Sequence, residues 1–157
     1  MRIAIDRSVV VTFALLFMFA IPPAHALTAA DGASPEVSSL LQLEQHARAA
    51  EAREQCYLFT QLVRGYSDIA SREIAAGEMD KAAAHLKRIE AVAQLIHSTL
   101  AGNTKRLKDA EKVLHDAYHQ LGETIRYVSA EDKAALQSTL KALDHLHDEV
   151  LAQVFAH

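Results

Sequence analysis

Tryptophan is absent from this chain, and cysteine occurs once, at Cys56. A single cysteine excludes an intrachain disulfide and a C-x-x-C-H haem attachment. Helix breakers are scarce: three prolines and five glycines in 157 residues. Half of the residues are apolar, and many of those are alanine. That balance favours helices and argues against a β-rich or disordered chain. A basic surplus is also missing. Sixteen Lys and Arg face twenty Asp and Glu, a net charge of −4, so no basic face marks nucleic acid as a partner. The sequence carries no G-x-S-x-G, no glycine-rich phosphate loop and no H-E-x-x-H. The repeated E-x-x-H of di-iron bundles is missing too. Nothing groups a nucleophile, a base and an orienting residue, so the expectation is a non-enzymatic protein.

One long apolar run is present, from Ser8 to Ile21. Arg2 and Arg7 precede it, Pro22 and Pro23 end it, and Ala24-His25-Ala26 follows as an A-x-A cleavage site. This is the pattern of a secretory signal peptide over residues 1–26. The run is short for a membrane span. No cysteine follows the site, so a lipid anchor is not expected. Export to the periplasm or the exterior is the expected localisation, with no membrane attachment after cleavage. Removal would take away Arg2, Arg7 and Asp6 and shift the net charge from −4 to −5.

Residues 27–35 read as a flexible tail and 36–157 as a helical bundle domain. Ser34, Pro35 and Glu36 form a helix start: a capping hydroxyl, a proline at the first helical position, an acid in the first turn. The first helix is expected from about Pro35 to Ala76. Its first half is poorly patterned, because Glu44 to Gln55 is mostly charged or alanine. Its second half carries a stripe of Ala52, Cys56, Phe59, Val63, Tyr66 and Ala70. Gly77 supplies a C-terminal stop.

The central segment, Met79 to Val128, organises the rest. Ala82, Leu86, Ile89, Ala93, Ile96 and Leu100 continue into Leu107, Ala110, Leu114, Ala117 and Leu121 in alternating steps of four and three. That is the seam of a helix packed lengthwise on others. Uninterrupted, it gives a helix of about 50 residues, roughly 75 Å long. Gly102-Asn103 is the one ambiguous point. The register passes through it, and Lys105, Arg106 and Lys108 would crowd a new helix N-terminus, where the dipole disfavours positive charge. Ser129 and Asp132 then resemble a capping box. The last helix carries Leu136, Leu140, Leu143, His147, Val150 and Val154 on its seam. The fold class is therefore all-α: an elongated antiparallel helical bundle with coiled-coil-like packing. It has three long helices, or alternatively is a four-helix up-down bundle broken at Gly102-Asn103. In the three-helix form, Leu62, Tyr66, Ile69, Leu86, Ile89 and Ile96 would need a partner chain to cover them.

Histidine is the unusual element, nine in all. His115 and His119 stand four apart on one helix face, the spacing that lets two imidazoles share one ion. They are the candidate metal ligands, with zinc or copper as the implied ion. Such a pair also arises by chance in a histidine-rich helical chain. A third ligand would come from another chain or from the last helix. Antiparallel pairing matches positions whose numbers total about 258, which places Asp144, His145 and Asp148 within a turn or so. His147, among leucines, reads as a core or rim residue. Cys56 reads as a buried small apolar side chain.

In general class, though not in any motif, the chain resembles small exported helical proteins of Gram-negative envelopes. The first functional expectation is an exported scaffold, adaptor or chaperone-like protein acting through a protein partner or self-association, without a cofactor. The alternative is a periplasmic metal-binding or metal-sensing bundle using His115 and His119.

Overall fold

The computed structural model describes residues 34–100 and 104–156. The expected signal peptide, nearly all of the tail and the Gly102-Asn103 pair lie outside those residues. Among these residues five α-helices are formed: α1 Pro35–Ala49, α2 Ala52–Ala75, α3 Met79–Thr99, α4 Leu107–Glu123 and α5 Lys133–Ala156. A 3₁₀ turn, Thr124–Tyr127, follows α4. No strand is present among the described residues, and no helix among them is long and apolar enough to cross a membrane.

The helix starts and stops follow local chemistry. Ser34 Oγ accepts the Val37 N–H at 3.3 Å, and Pro35 opens α1. Gly77 has a φ of 76° at the α2–α3 corner, a conformation that costs glycine nothing sterically. The Ser129–Asp132 pair closes as a variant of the capping box. The Asp132 N–H donates to Ser129 Oγ at 3.2 Å, and that hydroxyl donates to Asp132 Oδ2 at 2.7 Å.

The single first helix expected over 35–76 is instead two. Ala50 (ψ 162°) and Glu51 (ψ 139°) are extended, and α1 folds back on α2. Leu40 seats against Gly65, and Arg72 pairs with Glu36. Glu44 then reaches Arg88 on α3. A straight helix would leave Leu40 and Glu44 without these partners. The continuous central helix does not form either, because α3 ends at Thr99 and α4 begins at Leu107. Arg106 takes a left-handed φ of 61°, and the Lys105 N–H donates to the Arg53 carbonyl at 2.8 Å. The basic residues are accommodated at the new N-terminus by local partners. Lys105 pairs with Glu54 at 3.0 Å, Arg106 pairs with Asp109 at 2.9 Å, and the Arg106 guanidinium lies 3.5 Å from the Tyr57 ring centroid.

α2 packs on α1, α3 and α4, while α5 packs on α3 and α4. The seam residues expected on α3 and α4 meet in one core with Phe59, Leu62 and Val63 of α2 and Leu136, Leu143 and Val150 of α5. Leu62, Tyr66, Ile69, Leu86, Ile89 and Ile96 are all buried within the chain. The partner chain that three long helices would have needed to cover them is not required. The α3–α5 contact was not expected from the sequence. It is tied by the Thr139 hydroxyl, which lies 2.9 Å from Glu90 Oε1.

Candidate metal centre

α4 and α5 are joined by a short turn and lie antiparallel, so side chains on their facing edges meet at fixed register. Leu114, Ala117 and Leu121 of α4 fill the interior with Leu143, Leu146 and Val150 of α5. One step off that seam, on the same flank, stand Glu111 and His115 of α4 and His147 of α5. Glu111 and His115 are four apart and therefore stacked on one helix face. Their potential donor atoms and that of His147 all lie within 4.8 Å of one another. His147 Nε2 is 2.9 Å from Glu111 Oε1, and the His115 and His147 rings are 5.6 Å apart between centroids.

His119 continues the same face. Its ring stands edge-on to His115 at 4.4 Å between centroids, with Tyr118 flanking it at 5.7 Å. Of the two residues singled out from sequence, His115 thus belongs to the three-residue cluster and His119 stands beside it. His145 does not join them. It turns to the opposite flank of α5, with Nδ1 3.3 Å from Glu149 Oε1. Asp148 stands behind the cluster, its Oδ1 4.0 Å from His147 Nδ1.

Glu111 was missed by sequence reasoning, and His147 was taken for a core or rim residue. Both signals were nonetheless present. Glu111 has the i, i+4 relation to His115, and Glu111 with His147 satisfies the antiparallel register. His147 is in fact partly buried at the edge of the core, with 19 % of its side chain exposed.

This donor set suits a borderline metal ion. Zinc takes imidazole nitrogen and carboxylate oxygen at about 2.0–2.2 Å in tetrahedral array, which sets donors about 3.3 Å apart. The 2.9 Å contact is already near that spacing. The third donor closes by side-chain rotation, because His115 is exposed at the surface. The partly buried His147 and Glu111 form the fixed edge of the site. Hard-ion chemistry is disfavoured, since calcium and magnesium select all-oxygen shells.

Cys56 and His85 do not form such a site. Cys56 is fully buried, and burial pushes its thiol up to about 11. It is therefore neither a ligand on the surface nor poised for an intermolecular disulfide. His85 lies 3.5 Å from Glu73 and stacks on Tyr66 in the α2–α3 interface, with no third donor of this kind among the described residues. No family model, no curated protein and no solved structure matches the chain.

Proposed function

We propose that this chain is a metal-binding helical protein that holds one zinc-class ion between α4 and α5. The observation that carries the reading is the convergence of Glu111, His115 and His147 within 4.8 Å. Two helices contribute, and the fixed pair sits against packed core. His119 is placed to add a fourth ligand by rotation about its side-chain bonds, and water could take that position instead. Export, as the N-terminal segment suggests, would put this site in the envelope or outside the cell.

The donor set also accepts copper, which binds most nitrogen and oxygen sites more tightly than zinc does. The two ions therefore need separate titrations. The hairpin residues that a scaffold or adaptor reading would have used as a surface, Leu62, Tyr66, Ile69, Leu86, Ile89 and Ile96, are buried within the chain.

The test is calorimetric titration of the untagged chain with zinc, compared with a His115→Ala, His147→Ala double variant. The expected result is one fewer equivalent at micromolar affinity in the variant. Equal stoichiometry and affinity in both proteins would remove these residues from the proposal.

A further inference from the structure

The flank of α5 opposite to that centre carries a second cluster. His145 and Glu149 are four apart and share a face. His97 of α3 meets them across the interface, with Nδ1 2.8 Å from Glu149 Oε2. His145 Nδ1 is 3.3 Å from the other oxygen, Oε1. The carboxylate thus stands between two imidazoles that approach from different helices. The three side chains line a groove of about 390 Å³ between α3 and α5, floored by Ala93, Ala142 and Leu146.

The two clusters share a plan but not a spacing: the donors of the first all lie within 4.8 Å of one another, whereas in the second the two imidazoles sit on opposite oxygens of the Glu149 carboxylate and must turn toward each other to share an ion. In each, a glutamate and a histidine at i, i+4 occupy one helix, and a histidine from the packed neighbour completes the set. α5 takes part in both. It gives His147 to the α4 side and His145 with Glu149 to the α3 side, and Leu146 and Val150 point between them into the core. The same donor types therefore appear twice, on either flank of a single element.

We infer that His97, His145 and Glu149 form a second zinc-class site in the α3–α5 groove. This extends the metal-binding reading but uses none of the residues of the first site. The exposure of the donors fits capture of an ion. The His97 and His145 side chains are 61 % and 75 % exposed, whereas Glu149 is 25 % exposed. The carboxylate is held and both rings can rotate toward one ion without displacing packed atoms. Ions of this class exchange the hydrogen bonds between histidine and carboxylate for coordination bonds to the same atoms. In the ion's absence those hydrogen bonds satisfy the carboxylate, so the cluster does not leave a buried charge unpaired.

Four forms of the full-length, untagged chain test this with zinc chloride: wild type, His97→Ala with His145→Ala, His115→Ala with His147→Ala, and all four substitutions together. Circular dichroism checks that each remains helical. Wild type should take up two equivalents at micromolar affinity, each double variant one, and the quadruple variant none at that affinity. A Glu149→Gln variant, nearly isosteric, should also lose one equivalent. Two equivalents persisting in the His97→Ala, His145→Ala protein would overturn the second site. So would a single wild-type equivalent that vanishes only with His115 and His147; that result would leave the first site standing. A single equivalent lost only with His97 and His145 would do the reverse. No uptake by wild type would overturn both.

Discussion

Glu44 is the one carboxylate buried among the described residues, 6 % exposed. Burial pushes its carboxyl up, but hydrogen bonds from Arg48 and Arg88, with their charges, outweigh it and hold it below its ordinary value. Arg48 reaches Oε1 through Nε at 3.0 Å and Nη2 at 2.8 Å, and Arg88 bonds to Oε2. Because the folded carboxyl is the stronger acid, the unfolded chain takes up its proton first as the pH falls. The stability from this cluster is therefore present above the unfolded value, 4.5, and is lost as pH drops through the folded one. Glu44→Gln should cost about 1–2 kcal/mol at pH 7, at the low end for a charge-assisted bond because both arginines can turn to water. In urea denaturation the gap between wild type and variant should narrow at pH 3. An unchanged gap would mean that the carboxylate's charge is not what joins α1 to α3. None of this was legible in the sequence, where Glu44 sits in a run of charged residues and alanines. Its burial depends on α1 folding back, and no local pattern announces that.

At the scale of the helices, two glycines of one type have opposite meanings. A Cβ at Gly65 would lie 2.4 Å from Leu40 Cδ2, so the missing side chain is what lets α1 lie close on α2. A Cβ at Gly122 would meet only Leu140 Cδ2, at an ordinary 3.9 Å. Gly122→Ala should stabilise the chain by up to about 1 kcal/mol through helix propensity. Gly65→Val should destabilise it by about 1–3 kcal/mol through overpacking. Hydrogen exchange would place that second loss. The α1 amides should lose protection before those of α3 and α4, and uniform loss would contradict the role of Gly65 in docking α1. The seams of α3, α4 and α5 were readable because apolar side chains recur at helical spacing and the core buries them. The break at Ala50–Glu51 was not, since alanine and glutamate are good helix formers and tertiary contacts override them. The break before α4 was visible as an alternative. The argument against it, positive charge at the new N-terminus, failed because Glu54, Asp109 and the Tyr57 ring neutralise that charge locally. For the metal centre, His115 could be found from spacing within one helix. Glu111 and His147 needed the pairing between helices, and the α3–α5 cluster needed a contact between elements that are not consecutive.

Across the described molecule, α2 meets three other helices and α5 meets two, α3 and α4. An ion at Glu111, His115 and His147 would join α4 to α5 by bonds absent from the unfolded chain. Zinc at about 100 times its dissociation constant should then add about 2.7 kcal/mol. For a domain of this size that is a rise in Tm of about 10 °C. Thermal scans with and without zinc should show the rise in wild type, and the rise should shrink in the His115→Ala, His147→Ala variant. An equal rise in both would trace the effect to other ligands. Because α5 packs on only two other helices, α3 and α4, its opening as a local unit would cost less than unfolding the whole chain. An ion held between the helices as proposed would then have a second way out, besides exchange of its ligands one at a time: the opening of α5. Where that is the faster route, the residence time of an ion bound as proposed would be set by packing at Leu143, Leu146 and Val150 rather than by coordination chemistry.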